Sequence, residues 1–369
     1  MSVRSVGVEE ELLLVDPDTG IPRAVASTVL RAAQDLDGEL TDELQAEQLE
    51  TGTYPRRDLG EIGREILLRR REAATAAHRV GVAALPLATS PVAVDPHITD
   101  DPRYREMAHR FGLTAAEQLT SGCHIHVAVT SDEEAVAVVD RVQPWLAVLL
   151  AVTANSPFWN GIDTGYRSFR SQLQGRWPSA GPTNLFGSAA EYQRITEELL
   201  RTDTLLDRAM IYFDARPSHH HPTVEIRVAD VCRDPRDALL LAALTRGLVE
   251  TAAREWAAGR PAAPVRSEML RLATWRAGRS GIDDALLLPL DWRPVRADVV
   301  VDALIDHISA ALTDAGDLDA VHQLWQDLHI RRPGAHHQRL AYHDGGMQTV
   351  VHDAIAAANR CLDDPPRAG

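Results

Sequence analysis

Three stretches of the chain carry side chains that bind metals or phosphates, spaced two residues apart. They are Glu9 and Glu11 in SVGVEEELLLV, His124 and His126 in GCHIHVAVT, and Glu225 and Arg227 in TVEIRVAD. On a β-strand, residues i and i+2 share a face. Val6, Val8, Leu12 and Leu14 then oppose Glu9 and Glu11, and Cys123, Ile125, Val127 and Val129 oppose the two histidines. Val224, Ile226 and Val228 likewise oppose Glu225 and Arg227. Taken singly, each pair also suits a sheet face that meets water. Together they favour a site, because solvated strands prefer Thr, Ser and Lys, and neighbouring carboxylates repel unless a cation lies between them. Glu50, with Glu47, adds carboxylates from a strand-like run at 44–53. Glu10 falls on the apolar side, where it reads as a buried acid paired with an arginine.

Carboxylates with imidazole, in a site that also takes phosphates, suit Mg²⁺, with Mn²⁺ as a substitute. Zinc would bring a cysteine set or a helical HExxH, and neither is present. The arginines Arg170, Arg216 and Arg227 accompany Gly/Pro-rich or strand-borne site residues, and a guanidinium forks well onto carboxylate or phosphate. Arg167 and Arg176 lie in the same irregular segment as Arg170. The clusters His219-His220-His221 and His336-His337 lie in loop-like contexts and read as surface histidines.

The elements that must hold these residues follow from periodicity and capping. Strands are expected at 5–15, 44–53, 82–89, 122–130 and 222–230. Helices are expected at 26–36 with Ser27 as cap, and from Asp58/Glu61 to about 79. A further helix from Ser131/Glu134 should be kinked or split by Pro144, and others follow at 188–209 and from Asp234-Pro235. Residues 155–187 are rich in Gly, Pro, Asn, Ser and Trp without a period, as a functional loop would be. Residues 259–265 are the best linker, and the rest reads as helices. The expectation is one catalytic domain over 1–369 with a mostly helical portion from about 266. Strands with one polar and one apolar face favour an antiparallel or mixed sheet over a doubly wound parallel one.

Composition narrows the function. A formal net charge of −15 repels phosphate backbones, so no nucleic-acid partner is expected. All 38 basic residues are arginine, which removes P-loop, Schiff-base and lysine general-base chemistry. Cys123, Cys232 and Cys361 are few, odd in number and without a CxxC, which fits a reducing compartment. The opening residues lack a signal-peptide pattern, and the apolar run near 145–154 is about half of the ~20 residues a span needs. A cytoplasmic protein with no membrane association is expected.

Several segments resemble the type 2 glutamate–cysteine ligases, or carboxylate–amine ligases. They are GVEEELLLVD at 7–16, AEQLETGT at 46–53, GCHIHVAV at 122–129, SPFWNGIDTGYRSFRSQ at 156–172, RPSHHHPTVEIRVAD at 216–230 and AYHDGGM at 341–347. They run in the family's order over nearly the whole chain. The resemblance implies an α+β fold, an antiparallel sheet curved into a funnel with helices outside, related to glutamine synthetase. It implies ATP and Mg²⁺ on the funnel's inner face, with small amino acids as substrates and a homodimer as one arrangement. By the same matching, Glu9, Glu11, Glu50, His124 and Glu225 are expected as metal ligands. His124, His126, Arg170 and Arg227 are expected to contact nucleotide, and Arg170, Arg216 and Arg227 to serve catalysis. The implied reaction joins glutamate to cysteine at the expense of ATP, through γ-glutamyl phosphate. Two other readings stay open: a metal-dependent hydrolase activating water with the histidines and glutamates, and a non-catalytic nucleotide- or metal-binding protein on the same scaffold.

Overall fold

The computed structural model describes residues 3–38 and 40–363, with side chains to residue 359. The first strand, β1 (Val6–Val15), is followed by α1 (Ala26–Ala32), the hairpin β2 (Leu40–Asp42) and β3 (Gln48–Gly52), α2 (Leu59–Arg79) and β4 (Ala83–Leu85). Two helices, α3 (Pro102–Phe111) and α4 (Leu113–Ala116), lead into β5 (Gly122–Ala128) and the core helix α5 (Asp132–Thr153). The irregular segment that follows holds β6 (Phe158–Trp159), β7 (Ile162–Asp163), α6 (Arg170–Gln174) and α7 (Ala189–Arg201). Strands β8 (Ala215–Pro217) and β9 (Thr223–Asp230) complete a seven-stranded sheet of order β2-β3-β1-β5-β9-β8, with β4 on β1. Every pairing in this sheet is antiparallel. The remainder is α8 (Pro235–Ala257), α9 (Ser267–Ser280), the hairpin β10 (Ala285–Leu287) and β11 (Pro294–Arg296), α10 (Ala297–Ala315), α11 (Leu318–Arg331) and α12 (Gly334–Asp363).

The apolar faces read from the alternation do meet helices. Val6, Val8, Ile125, Val127, Val224 and Ile226 are buried with Val139 and Leu149 of α5 and Leu241 and Leu244 of α8. Leu12, Leu14 and Leu49 pack under α1 and α2. The hydrophobic effect therefore seats helices on one sheet face and leaves the other free for polar residues. Glu10, on the covered face, is 2% exposed. It accepts from Arg70 Nε at 2.8 Å and Nη2 at 2.6 Å, a buried fork that satisfies both groups.

Capping residues behave as their chemistry dictates: Asp58, Ser131, Ser188 and Asp234 each accept a backbone N–H of the first helical turn. Other expectations are corrected. Helix α1 is shorter than 26–36 and has no side-chain cap, because Ser27 already lies inside its first turn. Pro144 does not split α5, which runs unbroken to Thr153. One missing backbone bond is outweighed where Val142, Leu146 and Leu150 are all buried. The helix over 188–209 ends at Arg201, and a separate 3₁₀ turn spans Arg208–Met210. The runs at 44–53 and 82–89 shorten to Gln48–Gly52 and Ala83–Leu85. Helix α5 is long and apolar enough by composition to cross a membrane, more than the 145–154 run suggests, but most of it is buried inside the protein. Cys123 and Cys232 are buried and free, and the side chain of Cys361 lies outside the described residues.

Candidate functional site

Strand register gathers the polar residues. Glu11 pairs with Glu50 across β1–β3, Glu9 with His124 across β1–β5, His126 with Glu225 across β5–β9, and Arg216 with Glu225 across β8–β9. Directly paired residues share a face, and here it is the face opposite the helices. Glu9, Glu11, Glu50, His124, His126, Arg170, Arg216, Glu225 and Arg227 all line one cleft of about 390 Å³. Glu47 does not reach it: it is buried behind the strand, accepting from His97 N at 3.1 Å and meeting His97 Nδ1 at 2.8 Å. Arg167 and Arg176 are engaged elsewhere, on Asp283 and Glu117.

Two sets of ligand atoms lie close enough to share an ion, Glu9–His124–Glu225 and Glu11–Glu50–His124, each within 4.8 Å. Their electrostatics differ. Burial opposes ionisation of Glu9, but His124 and His126 outweigh it and hold the carboxyl well below its usual range. Burial likewise opposes ionisation of Glu225, and Arg227 and Arg216 overcome it. Glu50 is pushed up strongly by burial and then by the charges of Glu43, Glu9 and Glu11. His124 is pushed down by burial and Arg227, as a neutral imidazole ligand would be. His126 Nε2 lies 3.1 Å from Glu9 Oε1 but is misaligned for a hydrogen bond, so this buried nitrogen has no hydrogen-bond partner. Crowded carboxylates with an orphaned imidazole nitrogen are a donor set that fits a hard divalent cation.

Glu43 was not singled out by the sequence, and it is the clearest omission. It lines the cleft from the turn between β2 and β3, and it is pushed up to about 8 by burial and then by Glu11. Its unfolded value is near 4.5. Below that pH both states are protonated. As pH rises the unfolded chain ionises first, so the metal-free protein loses stability until the folded carboxyl titrates near 8. The midpoint of thermal unfolding in chelator should therefore fall between about pH 5 and 8. Glu43→Gln should flatten that fall, and an unchanged slope in the variant would show that Glu43 is not its source.

Arg216 and Arg227 were expected to contact substrate or phosphate. Arg216 instead forks onto Glu225, Nε to Oε2 at 2.7 Å and Nη2 to Oε1 at 3.3 Å, and donates to the carbonyl of Ile211 at 2.8 Å. It is a clamp on Glu225 with little left to offer a ligand. Arg227 also pairs with Glu225. Between the pairs Ile226–Ile125 and Ala229–Cys123, two residues of β9, Arg227 and Val228, stand against one of β5, His124. On its other side β9 keeps the register of β8, and Arg227 N donates to the carbonyl of Asp214 at 3.0 Å.

Arg170 has no carboxylate partner among the described residues. It is 4% exposed, its Nη atoms are 3.5 Å from the carbonyls of Arg227 and Val228, and its Nε is unpaired. Its backbone is pinned by a buried network. Arg170 N donates to Ser156 Oγ at 3.0 Å, Ser156 Oγ to Asp230 Oδ2 at 2.7 Å, and Ser168 Oγ to Asp230 Oδ1 at 2.8 Å. The guanidinium passes over Gly122, where an added Cβ would stand 2.3 Å from Nη2. Gly122→Ala should therefore displace Arg170 and lower kcat about a hundredfold, the scale of a misplaced catalytic group. The fold should survive, because the clash is with a side-chain end. Retained activity would show that Arg170 need not stand where it does.

The cleft also recruits residues from loops and helices that carry no strand alternation. Tyr104 and Arg103 come from α3, Gln118 and Thr120 precede β5, Trp177 comes from the irregular segment, Tyr212 precedes β8, and His219, His220 and His221 rim the mouth. The three histidines are exposed, as expected, yet the ring of His221 meets that of His126. The Asp-Gly-Gly element at 344–346 kinks α12, with Gly346 at φ 77°, and does not line the cleft.

The model of glutamate–cysteine ligase family 2 matches residues 5–353. A proposed glutamate–cysteine ligase 2-1 of Streptomyces avermitilis is 51% identical, covering 96% of this chain and 99% of that one. A proposed glutamate–cysteine ligase 2 of Streptomyces coelicolor is 50% identical over 95% and 97% of the two chains. Among solved structures, a glutamate–cysteine ligase from Francisella tularensis in complex with AMP superposes with TM-score 0.70 at 14% identity, over 100% of this chain and 91% of that one. A bifunctional glutathione synthetase from Pasteurella multocida gives 0.69 at 15% identity, with this chain spanning 98% of itself and 53% of that protein. At such identities the structures speak for the fold. The family model and the relatives reach further: this chain belongs to glutamate–cysteine ligase family 2, a family of ATP-dependent carboxylate–amine ligases.

Proposed function

We propose that the protein joins the γ-carboxylate of glutamate to the amino group of cysteine, forming γ-glutamylcysteine, ADP and phosphate by way of γ-glutamyl phosphate. The observation that carries this reading is the arrangement of Glu9, Glu11, Glu50, His124 and Glu225 around one cleft, with the unpaired Arg170 on its wall. A carboxylate resists attack by an amine because oxide is a poor leaving group, and phosphorylation by ATP supplies a good one. That transfer asks for positioning and charge neutralisation more than covalent help from the protein. Mg²⁺ held by these carboxylates and His124 would neutralise phosphate oxygens. Arg170 is free to fork onto the carboxylate or the phosphoryl group, and Arg227 adds positive charge beside it. Arg216 keeps Glu225 ionised and in place. Covalent acyl-enzyme chemistry has no candidate, since Cys123 and Cys232 are both buried on or beyond the helix-covered face.

The test is a screen for ADP release with purified protein, Mg²⁺, ATP and pairs of amino acids. Glutamate with cysteine should give the highest kcat/KM. With heavy oxygen in the γ-carboxylate, one label per turnover should appear in inorganic phosphate. Label in AMP would reject the γ-glutamyl phosphate route, and hydrolysis without ATP would favour a metal-dependent hydrolase.

A further inference from the structure

The Asp-Gly-Gly kink divides α12 into halves that land on different parts of the protein, with non-helical backbone at Gly345 and Gly346. Beyond it, Val351 packs with Leu13 and Val15 of β1, and Gln348 Nε2 donates to the carbonyl of Asp18 at 3.0 Å. Before it, the helix grips the segment that leads to Arg170. Arg339 Nη2 donates to Asp163 Oδ1 at 2.6 Å and to the carbonyl of Tyr166 at 2.9 Å, and the ring of Tyr342 lies 5.1 Å from that of Phe158. The helix begins at Gly334, where a side chain would run into the Asn155 amide, and Ala335 N donates to the carbonyl of Ala154 at 3.1 Å. Gln338 is buried, and its Nε2 donates to both the carbonyl and Oδ1 of Asn155, each at 2.8 Å.

From Asn155 the bonds run on to the arginine of the cleft. Asn155 Nδ2 donates to the carbonyls of Pro86 and Val231 at 2.9 and 2.8 Å, and its N donates to Asp230 Oδ2 at 2.8 Å. The same carboxylate receives Ser156 and Ser168, and Ser156 Oγ accepts Arg170 N. Gln338, Asn155, Ser156, Ser168 and Asp230 are all buried, where a low local dielectric strengthens each bond. Burial pushes the Asp230 carboxyl up, and the charge of Arg170 pulls it back. An anion fixed beneath the loop therefore attracts the guanidinium without occupying its fork.

Nothing strong holds the far end of Arg170, since its Nη contacts are 3.5 Å long and its Nε is unpaired. Where the guanidinium stands is then set by the backbone from which it hangs. We propose that Gln338, on a helix outside the cleft, is a positioning residue for Arg170, acting through Asn155, Asp230 and the two serines. The inference rests on the ligase reading above, in which Arg170 meets the substrate carboxylate or its phosphoryl group. It gives the Asp-Gly-Gly kink a role: one half of α12 seats the Arg170 loop while the other half stays on β1. A misplacement of about 1 Å can cost about a hundredfold in rate. Loosening the brace by a fraction of that should cost about tenfold.

The experiment is a double-mutant cycle, read by ADP release at saturating ATP, glutamate, cysteine and Mg²⁺, below the unfolding transition of each variant. Gln338→Met keeps the side chain's length but removes the donor, and should lower kcat about tenfold. Ser168→Ala cuts the chain on the Arg170 side and should do the same, so the test survives if one variant folds poorly. In Arg170→Lys neither change should cost more than about twofold further, since the group they position is already gone. The Mg²⁺ concentration for half-maximal rate should stay unchanged, whereas a general loosening of the sheet would raise it. Gln348→Ala, on the half of α12 beyond the kink, should keep the rate of the unsubstituted protein. Equal losses with and without Arg170, an altered Mg²⁺ requirement, or full activity in both variants would overturn the proposal, the first two assigning these residues to the fold alone. If Arg170→Lys is itself fully active, Arg170 is not the group positioned, and the inference falls while the ligase reading stands. If the unsubstituted protein releases no ADP, the ligase reading fails and the inference with it.

Discussion

Glu225→Gln should abolish turnover and also destabilise the protein, two effects that an acidic surface residue would not show. Glu225 is 3% exposed and lies between two guanidiniums, forked by Arg216 and paired with Arg227. Removing its charge leaves two partly buried cations facing each other without the carboxylate they share. Breaking a buried pair from one side typically costs about 3–5 kcal/mol. The amide keeps one acceptor oxygen, so the lower end of that range is expected. Activity should fall about a thousandfold, the scale of one preorganised electrostatic group in a dry site. Denaturant unfolding in chelator measures the first effect and ADP release the second. The paired control is Arg216→Lys, which keeps the charge but cannot reproduce the fork. It should lose activity while losing less stability than Glu225→Gln. Wild-type stability for Glu225→Gln would mean that the arginines do not depend on it. The contrast is with Glu43 and Glu50, held near other carboxylates, where neutral replacements should relieve repulsion in the metal-free protein.

The site was legible to the degree that it is written on strands. Period-two alternation is a local property, and it assigned the faces of β1, β5 and β9 and sent Glu10 to the covered side, where Arg70 receives it. What the alternation could not carry was pairing between distant segments. Arg216 was visible as an arginine near the site, but its role depends on the β8–β9 register, and β8 is three residues long. Glu43 sits in a turn whose place is set by the β2–β3 hairpin, again with a three-residue strand. Short strands leave no period to read. Tyr104, Trp177 and Tyr212 arrive from a helix and an irregular segment, and their convergence is tertiary. Pro144 misled for a related reason: its local cost is fixed, whereas the burial that overrides it belongs to the whole core.

Arg170→Lys should lower kcat/KM by about 10²–10³, with little change in the unfolding midpoint. The two halves of this expectation come from the same observation. Arg170 is almost fully buried yet holds no carboxylate, and its Nη contacts to the carbonyls of Arg227 and Val228 are long, at 3.5 Å. There is no strong internal bond to lose, so stability should move little. A ligand is what the guanidinium lacks, so the loss should appear in turnover. Lysine keeps one charge but offers no planar fork on a carboxylate or phosphoryl group. The backbone under it stays put, because Ser156 and Ser168 are tied to Asp230. Gly122 supplies the independent check. If Gly122→Ala acts only by displacing Arg170, then the double variant should be no worse than Arg170→Lys alone, a coupling as large as the smaller single effect. Multiplicative losses would separate the two residues and assign Gly122 to some other part of β5. A purely structural Arg170 would show the opposite pattern, with the unfolding midpoint falling and kcat/KM of the remaining folded protein intact.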